Sequence, residues 1–314
     1  MPEQSIDLSV QVGPVAMKNP VATASGCGGY GEELAHFYDL SRLGAVVTKS
    51  ITLRPREGHP PPRLVEVRAG MLNAIGLANV GLERFLDEKL PALARFDVPV
   101  IVNVAGSTPE EYVEVCRTLD AAEGVAGIEL NVSCPNVDRG WMEFGTDPSA
   151  LARLVEAARR EVSRSALVVK LSPNVTDIAE TARAAADAGA DALSLINTLR
   201  GMAIDPWSGR PALTNRHGGL SGPAVKPVAV YMVRRVWETV AGPRQVPLIG
   251  LGGAQFPEDV VEFLRAGATA VAVGTANFVD PETCVNLVDG LRGALARLGV
   301  SKASDLVGRL EPRP

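Results

Sequence analysis

Histidine is scarce in this 314-residue chain: His36, His59 and His217 are its only three, and they lie far apart. No HExxH-type zinc site can be written from them. Cysteine is nearly as rare. Cys27, Cys116, Cys134 and Cys284 are scattered, with no CxxC pair. That spacing argues against a disulfide framework, and against a metal or iron–sulfur site held by this chain alone. Long apolar runs are missing too; none approaches the roughly 20 residues needed to cross a bilayer. The opening MPEQSIDLSV has neither the basic n-region nor the apolar h-region of a signal peptide. The expectation is a soluble cytoplasmic chain with no membrane contact. An excess of basic charge is also lacking. The net charge of -5 and pI of about 5.4 leave no electrostatic footprint for nucleic acid, which needs a basic face.

The balance of 46% hydrophobic and 21% charged residues is that of an ordinary globular chain. Its length permits two domains, yet α/β barrels of this length commonly form one. No linker interrupts the pattern, so residues 1–314 are read as a single barrel domain. Short β-branched runs alternate with Ala-, Leu-, Glu- and Arg-rich segments, the mark of βα units around a parallel sheet. After an N-terminal hairpin (Leu8–Val12, Val15–Lys18), eight strands are expected: Val21–Ser25, Ala45–Lys49, Val100–Val104, Gly127–Val132, Leu167–Leu171, Ala192–Ile196, Pro247–Leu251 and Ala270–Gly274. Helical patterns such as DPSALARLVEAARREV, DIAETARAAADAGA and PEDVVEFLRAGA lie between them, with Asp-Pro or Pro-Glu starts and glycine stops at Gly189 and Gly267. The expected fold is a (β/α)8 TIM barrel with a short N-terminal β-hairpin. The Pro-rich REGHPPPRLVE segment reads as a long βα loop.

Barrel active sites lie at the C-terminal ends of the strands. The residues expected there are polar: Ser25-Gly26, Lys49-Ser50, Asn103, Asn131 with Cys134 and Asn136, Lys170 followed by Ser172 and Asn174, Asn197-Thr198, Gly252-Gly253, and Gly274-Thr275. Glycines after strands seven and eight are the usual barrel phosphate site, because their backbone N–H groups are open to an anion; ordinary turn glycine is the plain alternative. Lys170, inside the apolar LVVKLSPN, is costly to bury unpaired. It is either a satisfied ion pair or a fixed positive charge beside developing negative charge; Lys49 ends its strand in the same way. Asn73, in a loop with Gly70 and Gly76, joins Asn103, Asn131, Asn136 and Asn197. Five amides on one rim suit a planar ligand edge that alternates donors and acceptors, such as a pyrimidine or a flavin. Cys134 sits in a polar loop beside Pro135. A buried, inert thiol is the commoner fate of cysteine, but near lysines a thiol can ionise and move protons.

ASG, TKS, GMLNAIGLAN, VNVAG, IELNVSCPN, VKLSPNVTDI, INTLRGM, GGLSGPAVKPVA, GLGG and VGTANF, in this order from Val21 to Phe278, resemble dihydroorotate dehydrogenase. The NAIGL and VNVAG wording is similar to the class 1B, NAD-linked catalytic subunit. The quinone-linked class instead has serine at the position of Cys134. One departure is Ala78, where the family often has glutamine. The resemblance implies oxidation of (S)-dihydroorotate to orotate in pyrimidine (UMP) biosynthesis, with one FMN per chain as hydride acceptor. It implies FMN contacts from Ser25, Lys49, Ser50, Asn103, Asn131, Lys170, Ile196, Gly222, Gly252, Gly253, Gly274 and Thr275. Substrate contacts are implied for Lys49, Asn73, Ala74, Ile75, Gly76, Leu77, Asn131, Asn136, Asn197 and Thr198. Cys134 is the implied base that takes the proton from ring carbon 5, while Lys170 offsets charge on the reduced flavin. It further implies a partner subunit carrying FAD and a [2Fe–2S] cluster, around a homodimeric core in a heterotetramer. Three rival readings are weighed: a fumarate-linked class 1A homodimer, an FMN-dependent tRNA dihydrouridine synthase, and a non-catalytic barrel that only binds or assembles.

Overall fold

The computed structural model describes residues 6–132 and 144–311. A hairpin of β1 (Val10–Val12) and β2 (Val15–Met17) comes first. Its tip, Gly13, packs on Asp191 just before a barrel strand begins, so it lies at the N-terminal end of the barrel. Eight parallel strands follow: β3 (Val21–Thr23), β4 (Val46–Val47), β7 (Val100–Val104), β8 (Val125–Asn131), β9 (Ala166–Lys170), β10 (Ala192–Leu195), β13 (Leu248–Leu251) and β14 (Ala270–Val273). They are joined in the order β3-β14-β13-β10-β9-β8-β7-β4. A parallel bridge between Ala22 and Ala45 closes the ring. The strands at that seam are short, and a side chain stitches them: the Thr23 hydroxyl donates to Val47 O at 3.1 Å and accepts from Val47 N at 2.9 Å. This is the (β/α)8 barrel expected from the sequence, with all eight strands in place and their ends shifted or trimmed by a residue or two.

The reason for the pattern is burial on both faces. Helices cover the outside of a parallel barrel and side chains fill the inside, so its strands read as nearly continuous apolar runs. Every residue of β7, β9, β10, β13 and β14 is buried. The helices start where their side chains can satisfy the open N–H groups of the first turn. Asp147 accepts from Ser149 N and Ala150 N ahead of helix Pro148–Glu161. Asp177 does the same for Ala179 N ahead of Ile178–Asp187. Helix Pro257–Ala266 stops at Gly267, whose φ of +118° a side chain would rarely adopt. Among the described residues no helix is long and apolar enough to cross a membrane.

Two findings depart from the expected loops. Leu64–Val67, at the end of the Pro-rich segment, is a strand (β5), and Gly70–Asn73 is a second (β6). Asn73 therefore ends a strand and does not sit in a loop. These two pair with β11 (Leu199–Gly201) and β12 (Gly218–Ser221), in the order β11-β12-β6-β5, as an antiparallel sheet apart from the barrel ladder. β12 pairs with β6 in the register Gly219↔Asn73, Leu220↔Leu72, Ser221↔Met71. Leu72, Ala74 and Leu213 form a small core of their own within it.

Candidate active site

A cleft of about 400 Å³ opens between the C-terminal ends of the barrel strands and this antiparallel sheet. Ser25, Lys49, Ser50, Asn131, Lys170, Ile196, Asn197 and Thr198 line it from the strand ends. Asn73, Ile75, Gly76 and Leu77 line it from β6 and the turn that follows, and Gly222, Gly252, Gly253, Gly274 and Thr275 from the far side. Ala74 is fully buried in the small core beside the cleft. Asn103 is fully buried beneath the rim. Cys134 and Asn136 lie outside the described residues.

Charge in the cleft is one-sided. Lys49, Arg63 and Lys170 line it, and no described lining residue is a carboxylate. Burial, and then the nearby Arg63 guanidinium, hold the Lys49 ammonium below the usual lysine range. An anion bound here would relieve both effects, because it restores the charge partner that burial and like-charge repulsion withhold.

Beneath the lysines runs a connected set of polar side chains. Asn197 donates to Asn131 Oδ1 at 3.2 Å, and Asn131 donates to Ser50 Oγ at 3.4 Å. Ser50 donates to Asn103 Oδ1, and Asn103 donates to Glu129 Oε1. Ser194 donates to Glu129 Oε2 at 2.7 Å. The Lys170 ammonium lies 3.9 Å from Glu129 Oε1, with both side chains about 5% exposed or less. The Tyr112 hydroxyl fixes the backbone here, donating to Asn131 O at 2.7 Å. Thr198 N donates to Asn197 Oδ1 at 2.8 Å, and Asn174 donates to Thr198 O at 3.1 Å. Asn73 donates to Gly219 O at 3.2 Å. Asn73, Asn103, Asn131 and Asn197 are thus held in fixed orientations before any ligand arrives.

The glycine side is built for close backbone approach. Gly253 has φ +83°, and a Cβ there would meet Gly222 O at 2.7 Å and Lys226 Cβ at 2.9 Å. Gly222 has φ +94°, and a Cβ there would meet Gly70 Cα at 2.8 Å. Gly222 also leads into the turn Pro223–Val225 and the helix Lys226–Val236. Thr275 donates to Ser221 Oγ at 2.8 Å, joining the loop after β14 to β12.

A profile of the family described as dihydroorotate dehydrogenase matches residues 7–295. The chain is 54% identical over 305 residues to a protein of Pelobacter propionicus named dihydroorotate dehydrogenase B (NAD(+)), catalytic subunit; the match covers 97% of this chain and 99% of that one. Proteins of the same name from Geotalea daltonii and Geobacillus sp. are each 53% identical, over 97% and 96% of this chain and 98% and 95% of theirs. The chain belongs to the dihydroorotate dehydrogenase family.

Within that family's barrel the structure adds residues that the sequence reading passed over. Glu129 alternates with Ile128 and Leu130 and so looks like the outer face of a strand; only the closed barrel buries it. Ser194 and Arg63 were also missed, as was Ser221. Of these, a carboxylate inside an apolar barrel strand was the signal to follow. The described cysteines are thiols, not thiolates, at neutral pH. Burial pushes the Cys27 thiol up to about 11, against a smaller opposing pull from Lys170. Burial likewise pushes Cys116 and Cys284 up to about 12.

Proposed function

We propose that this chain oxidises dihydroorotate to orotate on a bound FMN, as the catalytic subunit of an NAD+-linked enzyme of pyrimidine nucleotide synthesis. The observation that carries the reading is the cleft itself: three cations, no described carboxylate, and a row of fixed amides at the strand ends. Dihydroorotate brings a carboxylate and a ring edge that alternates N–H with C=O. FMN brings a phosphate and a ring edge of the same alternation. Both fit this donor set. The names of the relatives point the same way.

Gly222, Gly252, Gly253, Gly274 and Thr275 would hold the phosphate, since all five line one side of the cleft and the four glycines carry no side chain to shield their backbone N–H groups. Ser25, Lys49, Ser50, Asn131, Lys170 and Ile196 would border the ring system, and Asn103 would support Ser50 from below. Lys49, Asn73, Ile75, Gly76, Leu77, Asn131, Asn197 and Thr198 would bind the substrate, with Ala74 packing behind them and Asn136 completing the set. When bound, FMN supplies a two-electron acceptor for the hydride. Cys134 Sγ takes the proton from ring carbon 5. The three described cysteines are disfavoured for that task by their raised pKa values. Lys170 sets a positive charge beside the acceptor, where negative charge grows during the reaction.

Electrons must then leave. The chain has no CxxC pair, and among the described residues no cluster of His, Cys, Asp or Glu could hold a metal ion. The exit is assigned to a partner subunit carrying FAD and a [2Fe–2S] cluster, assembled around a homodimer of this chain. The test is direct. The purified chain should be yellow, hold one FMN, and bleach anaerobically on addition of dihydroorotate. A colourless chain that FMN cannot reconstitute overturns the reading.

A further inference from the structure

We propose that Glu129 is a positioning residue whose buried carboxylate sets how much of the Lys170 positive charge reaches the cleft. The inference rests on the FMN reading above and deepens it at one residue.

Glu129 is 3% exposed and Lys170 is 4% exposed. They stand on neighbouring strands, β8 and β9, with 3.9 Å between Nζ and Oε1. That is too long for a strong hydrogen bond, yet close enough for a large Coulomb term where water is absent. Two other donors hold the carboxylate. Asn103 Nδ2 reaches Oε1 and Ser194 Oγ reaches Oε2 at 2.7 Å. These bonds disperse the negative charge and keep the carboxylate from closing on the ammonium. Lys170 is left partly neutralised, and it lines the cleft while Glu129 does not.

A stability role alone does not account for the arrangement. A buried ion pair is rarely better for stability than well-packed apolar residues of the same size, and the adjoining positions on β8 are Ile128 and Leu130. The carboxylate also grips Asn103, which carries Ser50, which Asn131 in turn addresses. One charge thus governs both the electrostatics of Lys170 and the bottom of the amide chain.

The test is a potentiometric titration of the FMN bound to the holoenzyme. Glu129→Gln keeps the shape and removes the charge, so the positive charge of Lys170 should be less offset and favour reduced FMN. The expected result is a positive shift of the two-electron potential, equal to at least a tenfold gain in relative affinity for reduced FMN, or about 30 mV. Glu129→Asp, which restores the charge, should return most of the shift. In a Lys170→Gln background only the direct field of Glu129 remains, so the Glu129→Gln shift should be clearly smaller; an undiminished shift there means that Glu129 does not act through Lys170, and overturns the proposal. Ser194→Ala keeps the charge and removes one hydrogen bond, so the carboxylate turns toward Lys170 and the potential should move negative. If Glu129→Gln does not fold, the sign of the Ser194→Ala shift decides alone. An unmoved or positive potential in Ser194→Ala, or an unmoved one in Glu129→Gln, overturns the inference. A wild-type chain that binds no FMN instead removes the functional reading beneath it.

Discussion

Asn197 and Asn131 touch across the cleft floor, the amide of the first donating to the side-chain oxygen of the second at 3.2 Å. The bond joins the end of β8 to the residues just beyond β10, and it spends one donor and one acceptor. How the pair addresses a ligand is therefore set jointly. Asn197→Ala and Asn131→Ala should each weaken orotate binding by about tenfold, or about 1.4 kcal/mol. The double variant should lose clearly less than the sum, because the residues are in direct contact. Isothermal titration with orotate measures the coupling; full additivity contradicts it.

Lys170→Ala should harm the fold as well as the chemistry. It leaves the Glu129 carboxylate buried without the ammonium 3.9 Å away. Stranding one charge of a buried pair costs about 3 kcal/mol or more. Adding Glu129→Gln to the same chain should recover much of that loss. Urea unfolding of the three proteins checks the order of stability, with the double variant above Lys170→Ala.

Cys134→Ser should slow reduction of the flavin by dihydroorotate by about a hundredfold or more at neutral pH, the usual loss when a positioned base is removed. The rate should recover in part as pH rises. Cys27→Ala should leave the rate near that of wild type, because a thiol at about 11 is protonated throughout the neutral range. Stopped-flow bleaching of the flavin separates the two cysteines.

Stability should decline on the alkaline side. Cys116 and Cys284 are held at about 12 in the folded chain, against about 9 for a free thiol. Between those values the unfolded chain releases protons that the folded chain keeps. Stability is therefore full below about pH 9 and falls as pH rises toward 12. The urea midpoint should drop over that window, and Cys116→Ala should flatten the drop. A midpoint constant to pH 11 contradicts the sign.

Gly253→Ala should release FMN. Its backbone has φ +83°, and the added methyl would stand 2.7 Å from Gly222 O. Strain of this kind costs about 1–3 kcal/mol, and it falls on the side of the cleft proposed for the phosphate. Gel filtration should give a paler protein of unchanged barrel fold.

The eight barrel strands were legible because burial on both faces leaves a mostly apolar run in each, a signal that needs no partner to be read. The rim followed from knowing which strand ends carry chemistry. The antiparallel sheet was not legible. Its β12 is Gly-Gly-Leu-Ser, with no strand-like period, and it pairs with a segment about 146 positions away. Glu129 was hidden for the opposite reason: alternation with Ile128 and Leu130 is also what a half-exposed strand shows. Its burial becomes readable only once the run is assigned to a closed parallel barrel, which leaves no strand face exposed.

The sheet beside the mouth is shared between two distant stretches of chain, and neither is a hinged flap on its own. Residues 64–73 hold the amide of Asn73, on the side given to the pyrimidine. Residues 199–221 run directly into Gly222, on the side given to the phosphate. The ladder Gly219↔Asn73, Leu220↔Leu72, Ser221↔Met71 locks one to the other. The two halves are therefore held in one register, so a substitution that displaces Asn73 also displaces the strand that leads into Gly222.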